Sequence, residues 1–132
     1  MNRYGRWLLV ALALALAGAG SCSSDGGPVA GTLTVSLTTP NSGADGAILF
    51  SVIGPQAPTR ITAGAGLRAF SQPLSLTTKV AVTGTLTSGV LLTFGVTDTR
   101  QVAQYAATIQ SVAASADFQL RSLSGYSLTV SQ

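Results

Sequence analysis

Alternating apolar and polar residues dominate most of the chain. Residues 32–38 place leucine or valine at every second position and threonine or serine between them. This is the pattern of a strand with one buried and one solvated face. Residues 126–130 repeat the pattern near the end of the sequence, with Tyr126, Leu128 and Val130 as the apolar members. We therefore expect the first and last strands to line a common core.

Two further segments are almost continuously apolar. Residues 47–53 contain one polar residue, Ser51, which is typical of a central strand buried on both faces. Residues 90–96 form a second strongly apolar strand that ends at Asp98. We expect both segments in the interior of a sheet.

Shorter segments separate these strands. Strands are predicted at residues 59–63, 67–71, 79–83 and 105–112, with clusters of glycine, proline, asparagine and serine as turns between them. Residues 117–123 are predicted as a loop, with one helical turn capped by Asp117 as a variant. About eight short strands without a long helical period indicate an all-β protein, a single antiparallel β-sandwich.

The composition agrees with a sheet protein. Glutamate is absent and Lys79 is the single lysine, so helix-favouring charged residues are rare. Of the 132 residues, the 111 that follow position 21 suit one domain. Cys22 is the only cysteine, so packing and sheet hydrogen bonds must stabilise the fold without an internal disulfide.

The first 22 residues have the organisation of an export signal. Two arginines precede an apolar run over residues 7–17, and small residues lead to Cys22. This arrangement resembles the signal of bacterial lipoproteins, with Ala19-Gly20-Ser21-Cys22 as the lipobox, although Ala19 stands where that family usually has leucine. The resemblance implies that residues 1–21 are removed and that Cys22 is lipidated.

Two alternatives for this segment stay open. The first is a retained membrane anchor, but a spanning helix needs about 20 apolar residues, and Gly18 and Gly20 weaken a longer helix here. The second is an ordinary secreted protein that is cut near Ser21 and keeps a free Cys22.

The segment after the cysteine connects it to the domain. Residues 22–30 are rich in serine and glycine, which predicts a flexible tether, and residues 31–132 form the sandwich domain. Serine beside the acylated cysteine, here Ser23, is typical of lipoproteins that double-membrane bacteria send to the outer membrane. The sequence therefore predicts an exported protein, lipid-anchored through Cys22 to the cell membrane, or to the outer membrane if the cell has one.

Charge excludes one class of partner. The whole chain has a net charge of +3, but Arg3 and Arg6 belong to the signal, and the five remaining basic residues against four aspartates leave +1. These basic residues are scattered, whereas a nucleic-acid partner needs a basic face. We predict no nucleic-acid partner.

Two apolar strands resemble those of cohesin-type modules. Gly46-Ala47-Ile48-Leu49-Phe50-Ser51-Val52 is similar to the early strand of these modules, and Gly89-Val90-Leu91-Leu92-Thr93-Phe94-Gly95-Val96 is similar to their late strand. Cohesins are sandwiches of jelly-roll topology that bind dockerin domains or belong to cell-surface proteins. The resemblance implies a jelly roll with adjacent terminal strands. Ile53-Gly54-Pro55 departs from the usual Tyr-Asp-Pro, and dockerin binding is unsupported.

Missing residue types limit the chemistry. Without histidine there is no Ser-His-Asp triad, and without glutamate a carboxylate pair needs two aspartates, of which Asp45 and Asp98 lie in predicted loops. A Ser–Lys pair would have to use Lys79. Aspartate in a glycine-rich turn usually serves turn geometry. We predict no enzyme and no cofactor, with an envelope hydrolase that uses aspartates or a Ser–Lys pair as the alternative.

The sequence contains partial signals for two kinds of binding site. Asn41, Asp45 and Gly46 could supply a calcium loop, but the regular acidic spacing is missing, so a turn without metal is predicted. An aromatic platform that stacks on sugars is not predicted, because four aromatic residues fall on inward faces of predicted strands and are assigned to the core: Phe50, Phe94, Tyr105 and Tyr126. Phe70 and Phe118 lie in less regular stretches, where they could be exposed but where packing in the core or in a loop is favoured.

These observations predict a membrane-anchored bacterial envelope lipoprotein that presents a non-catalytic β-sandwich for protein or polysaccharide binding. A purely structural role in the envelope is a further alternative. Pairing of the first and last strands would create a charge-free surface, either solvated or binding, made of Thr32, Thr34, Ser36, Ser127, Thr129 and Ser131.

Overall fold

The structure, a computed structural model, describes residues 27–132, which form eight strands and one short 3₁₀ helix. The strands are β1 (Gly31–Thr38), β2 (Asp45–Ile53), β3 (Thr59–Ala63), β4 (Arg68–Leu74), β5 (Thr77–Leu86), β6 (Gly89–Val96), β7 (Ala106–Ala114) and β8 (Ser127–Ser131), and the 3₁₀ helix spans Thr99–Gln104. Every strand predicted from the sequence is present, with small shifts of its bounds.

The strands form two packed antiparallel sheets. The β1 sheet has the order β3-β6-β1-β8, and the β2 sheet has the order β4-β5-β2-β7. The pairs β1/β8, β2/β7, β3/β6 and β4/β5 nest inside one another, as they do in a jelly roll. The predicted all-β antiparallel sandwich is confirmed. The terminal strands lie side by side as expected, with Thr34 opposite Ser131.

The inward faces of the two sheets share one core. The predicted alternation of β1 buries Leu33, Val35 and Leu37, which are at most 2% exposed. The aromatic residues assigned to the core are inside: Phe50, Phe94 and Tyr105 are buried, and Tyr126 is partly buried against the core. One contiguous core therefore joins both sheets, in agreement with the period-two pattern.

The outer face of β2 is less covered than predicted. β2 is central between β5 and β7, but Leu49 is 36% exposed and Ile53 is 47% exposed. Within residues 27–132, no third layer of secondary structure covers this face of the sheet. The prediction that residues 47–53 are buried on both faces is wrong, because their outward apolar side chains meet solvent.

Two connections also differ from the sequence-based expectation. The 3₁₀ helix begins after Asp98, whose carboxylate accepts a hydrogen bond from the backbone N–H of Arg100, and it was not predicted. The segment 117–123 contains turns and no helical turn. Asp117 there accepts a hydrogen bond from the backbone N–H of Gln119, so it closes a turn and caps no helix.

The two ends of the sandwich carry different connections. The N-terminal end holds the start of β1, the 3₁₀ helix, the β2–β3 and β4–β5 connections and the C-terminus. The distal end holds the β1–β2, β3–β4, β5–β6 and β7–β8 connections. The eight residues of β1 separate the two ends by roughly 25 Å.

The N-terminal segment is only partly described. Val29 is fixed to the N-terminal end: its N–H donates to Asp98 Oδ1 over 3.3 Å, and its carbonyl accepts from the N–H of Thr99 over 2.8 Å. The predicted signal, Cys22 and the first part of the predicted tether lie outside the described residues. Among residues 27–132, no helix has the length and apolar character needed to cross a membrane.

Candidate functional site

The outer face of the β1 sheet is lined by hydroxyl side chains. Register places Thr62, Thr93, Thr34 and Ser131 side by side across all four strands. The neighbouring outward positions of β1 and β8 are the predicted serines and threonines. We call this surface the hydroxyl face, with Thr32, Thr34, Ser36, Thr62, Thr93, Ser127, Thr129 and Ser131 as its members.

The outer face of the β2 sheet has the opposite chemistry. Phe70, Ala81 and Leu49 are lateral neighbours on β4, β5 and β2, and the ring of Phe70 is 60% exposed. A shallow groove of about 250 Å³ lies here, lined by Leu49, Phe70, Ser71, Gln72, Lys79 and Ala81. Large apolar side chains exposed together on a folded surface mark an interaction site.

The β7–β8 connection extends this face. Leu120 forms a β-bridge with Ala113, which is itself the neighbour of Ala47 on β2. Paired residues in antiparallel strands project to the same side, so Leu120 continues the outward row of alanines. Leu120 is 75% exposed. We call the surface made of Ala47, Leu49, Phe70, Ala81, Ala113 and Leu120 the apolar face.

Backbone hydrogen bonds hold the connection in place. The N–H of Ala114 donates to the carbonyl of Gln119 over 2.9 Å, and the N–H of Arg121 donates to the carbonyl of Val112 over 2.8 Å. Phe118 has a φ of +57°, in the left-handed region that an aromatic residue rarely adopts, and its side chain is 76% exposed. The surrounding contacts therefore impose a costly backbone conformation and leave an aromatic ring in solvent.

A buried carboxylate supports the end of this connection. Asp45 is completely buried. Its Oδ2 accepts a hydrogen bond from the hydroxyl of Thr39 over 2.6 Å, and its Oδ1 accepts from the hydroxyl of Tyr126 over 2.9 Å and from Nε of Arg121 over 3.1 Å. One cation and two hydroxyl groups thus compensate the buried charge. We call Thr39, Asp45, Arg121 and Tyr126 the Asp45 cluster.

The residues considered for calcium have partners within the protein. The guanidinium of Arg121 lies where a cation would contact the carboxylate of Asp45, and Asn41 donates a hydrogen bond from Nδ2 to the hydroxyl of Tyr126 over 2.9 Å. Among residues 27–132, no group of three or more His, Cys, Asp or Glu residues could hold a metal ion. The hydrogen bonds of Asn41 and Asp45 with Tyr126 connect this loop to the segment that precedes β8.

The residues considered for catalysis are not brought together. Asp45 lies at the distal end and Asp98 at the N-terminal end, where Asp98 forms an ion pair of 3.0 Å with Arg100. The side-chain hydrogen bond from Arg100 holds the pKa of Asp98 below its ordinary value of 3.8, although desolvation opposes this shift. The two carboxylates are thus the length of the sandwich apart, roughly 25 Å, far beyond the separation in a glycosidase pair.

The Ser–Lys alternative requires a serine close to Lys79, and the structure provides one. Ser51 lies directly opposite Lys79 on the neighbouring strand, but its hydroxyl accepts a hydrogen bond from Nε2 of Gln110 over 2.9 Å. Lys79 is exposed, whereas a lysine that acts as a general base is desolvated. This pair therefore lacks the environment of a catalytic dyad.

The sequence did not single out the apolar face. The sequence favours core or loop packing for Phe70 and Phe118, which is wrong because both side chains are largely exposed. It places Leu49 in a strand covered on both sides and Leu120 in a loop. The available signal was the run 47–53, in which outward positions are as apolar as inward ones. An apolar strand predicts an exposed patch when no further layer exists to cover it.

Comparison of the chain with models of protein families, with curated proteins and with solved structures finds no significant match. The resemblance of two strands to cohesin-type modules and of the first residues to lipoprotein signals thus stays an inference from the sequence.

Proposed function

We propose that this protein is an exported, lipid-anchored envelope protein whose sandwich is a non-catalytic binding module. Cys22 carries the lipid, and the apolar face holds a second protein. The observation that carries the proposal is the contrast between the two outer faces: exposed Phe70, Leu49 and Leu120 lie on one, whereas serine and threonine predominate on the other apart from Val90 opposite Ser36.

A protein suits the apolar face better than a sugar does. Small alanines lie between larger apolar side chains on this face: Ala81 lies between Phe70 and Leu49, and Ala113 lies between Ala47 and Leu120. Such a surface gains stability by burying apolar atoms, at roughly 25 cal/mol per Å², and Phe70 offers no hydrogen bond to a hydroxyl-rich ligand. Large apolar anchors beside near-neutral contacts are typical of protein interfaces.

The size of the face sets the expected strength of binding. The four strands of the β2 sheet have seven to ten residues, so its whole outer surface covers about 19 by 28 Å, or roughly 500 Å², and the apolar face is part of this surface. The total buried area on both partners would then be at most about 1,000 Å², the lower limit for a specific interface. We therefore expect a transient complex with an affinity in the micromolar range.

The decisive experiment is capture of a partner by the full-length protein. Cells expressing the wild type, Phe70→Ser or Leu120→Ser are cross-linked, and the envelope proteins that copurify are identified. Val90→Ser is the matched control, because Val90 is an apolar side chain 53% exposed on the other sheet. We expect one partner to be lost from both variants of the apolar face and kept by the control. A partner retained by all variants would contradict the proposal.

The hydroxyl face supports polysaccharide binding as a second candidate function. Its side chains carry no charge and offer donors and acceptors on adjacent strands, which suits a hydroxyl-rich polymer. The test is cosedimentation with insoluble envelope polysaccharides. Loss of binding in Thr34→Val combined with Thr129→Val, but not in Phe70→Ser, would favour this candidate over a protein partner.

The enzyme alternative and a purely structural role make different predictions. A hydrolase would act on ester, peptide or glycan substrates and lose that activity in Asp45→Asn, Asp98→Asn or Lys79→Ala. The distance between the aspartates and the exposure of Lys79 support the non-catalytic proposal. A structural component would show neither turnover nor the loss of one defined partner in Phe70→Ser.

A further inference from the structure

A second apolar cluster lies at the N-terminal end of the sandwich. Ile53 and Leu74 both neighbour Thr77 in register, and Leu76 forms part of the turn that joins β4 to β5. Ile53, Leu74 and Leu76 are 47%, 45% and 55% exposed. We call these three residues the terminal apolar cluster.

The terminal apolar cluster is distinct from the apolar face. Gln72, Lys79 and Ser51 form a polar row between the two patches. The turn that carries Leu76 is also held in position, since its carbonyl accepts a hydrogen bond from the N–H of Gly54 over 3.4 Å. Three aliphatic side chains are thus displayed at one edge of the sandwich, away from the proposed protein contact.

The length of the preceding chain brings this end close to the lipid. The two hydrogen bonds of Val29 with Asp98 and Thr99 fix the chain at the N-terminal end of the sandwich. Seven residues lead from Cys22 to Val29, and a chain of seven residues spans at most about 25 Å. A lipid on Cys22 therefore keeps the N-terminal end within about one domain length of the bilayer.

The charges at this end are compatible with a lipid surface. Among residues 27–132, the acidic side chain at the N-terminal end is Asp98, and it forms an ion pair of 3.0 Å with Arg100. Exposed Arg60 on β3 and exposed Lys79 in the polar row contribute positive charge. Apolar side chains beside cationic ones match the boundary between acyl chains and anionic headgroups.

We propose that the N-terminal end of the sandwich is a bilayer-contact surface on which Ile53, Leu74 and Leu76 enter the membrane interface. This inference rests on the lipid anchor of the proposed function. It goes beyond that function because it assigns an orientation: the terminal apolar cluster faces the membrane, and the distal end projects away from it.

The test uses the full-length protein, purified as the processed lipoprotein and reconstituted in phosphatidylethanolamine–phosphatidylglycerol vesicles. Acylation consumes the thiol of Cys22, so a cysteine introduced by Leu76→Cys is the single thiol available to an environment-sensitive fluorophore. Ala65→Cys, in the exposed β3–β4 connection at the distal end, is the matched control. Quenching by lipids that carry a doxyl group near the headgroup is then measured for both labels.

We expect quenching of the label at position 76 to exceed that at position 65 by roughly threefold or more, because interfacial side chains enter the boundary by about 5–10 Å. Equal quenching at both positions, with Cys22 acylated by mass spectrometry, would overturn this inference alone. A Cys22 without acyl groups would overturn the lipid anchor, and this inference with it.

Discussion

The hydroxyl of Tyr126 lies 2.9 Å from Oδ1 of Asp45, and this hydrogen bond joins the two sheets at the distal end. Asp45 begins β2, and Tyr126 directly precedes β8 in the other sheet. The same carboxylate binds Arg121 at the end of the connection that displays Leu120. The Asp45 cluster therefore links the stability of the sandwich to the geometry of the apolar face.

Replacing Tyr126 by phenylalanine tests this link. The ring can still pack against the core, but a charged acceptor loses one donor, which costs about 1.5–3 kcal/mol of the free energy of unfolding. Denaturant unfolding of Tyr126→Phe measures the loss. Thr129→Val on the hydroxyl face is the control, and it should stay within about 0.5 kcal/mol of the wild type. A Tyr126→Phe protein as stable as the control would show that the cluster contributes nothing.

Removal of residues 126–132 is expected to unfold the domain. β8 forms five residue pairs with β1, and the removed segment packs three half-buried side chains against the core: Tyr126, which precedes β8, and Leu128 and Val130 in β8. Complete burial of one such side chain contributes ~1.5–3 kcal/mol, and a half-buried side chain contributes about half of that. Losing three of them together with the Tyr126 hydrogen bond lowers the free energy of unfolding by about 5 kcal/mol, which is comparable to the total stability of many domains. Cooperative melting of the chain ending at Gly125, close to the full-length temperature, would contradict this role of β8.

Phe118 offers a test of stored backbone strain. Asparagine tolerates the left-handed conformation, so Phe118→Asn should raise the free energy of unfolding by about 1 kcal/mol. The change should not weaken the core, because the ring is 76% exposed. The matched change Phe70→Asn, in the regular strand β4, should lower stability instead, since asparagine is unfavourable in strands. Denaturant midpoints of the two variants that shift in the same direction would argue against strain at Phe118.

The strands could be predicted because their information is local. The alternation of Leu33, Val35 and Leu37 with hydroxyl residues is enough to define a strand and its inward side. Alternation does not reveal whether a second layer covers the outward side, and this is why Leu49 was assigned to a buried position. The apolar face depends on the absence of such a layer over the described sheet, which is a property of the whole arrangement.

The Asp45 cluster could not be predicted, because its members are far apart in sequence. Asp45 and Tyr126 are separated by 81 positions, and no local pattern connects them. The sequence contains a weak local signal for the 3₁₀ helix, an aspartate two residues before Arg100, which is compatible with a turn or with a helix cap. It contains no signal for the left-handed conformation of Phe118, since phenylalanine disfavours that conformation.

The ion pair of Asp98 and Arg100 predicts a pH dependence. The pKa of Asp98 is lowered in the folded protein, chiefly by the side-chain hydrogen bond from Arg100. A carboxyl group with a lowered folded pKa stabilises the fold above its unfolded pKa, and this contribution is lost as the pH falls through the folded value. The difference in melting temperature between the wild type and Asp98→Asn should therefore be largest near neutral pH and shrink below about pH 4. A difference that stays constant between pH 7 and pH 2 would contradict the shift.

The last prediction concerns the lipid anchor. Cys22→Ala removes the only thiol of the chain, so labelled fatty acid should no longer enter the protein. A single acyl chain gives marginal membrane binding and stable anchoring takes two signals, with each buried CH₂ contributing about 0.8 kcal/mol. The anchored wild type should therefore stay in the membrane fraction after a carbonate wash, and Cys22→Ala should move to the aqueous fraction if its signal is cut.

Ser23→Ala serves as the control, because it changes a neighbouring small residue and keeps the thiol. Three outcomes can be distinguished by mass. A Cys22→Ala protein of full length in the membrane indicates a retained anchor, and a shortened wild-type protein with a free thiol in the aqueous fraction indicates ordinary secretion. Labelled fatty acid that enters Cys22→Ala as efficiently as the wild type would contradict lipidation at Cys22, because the acyl group must then be attached to another residue.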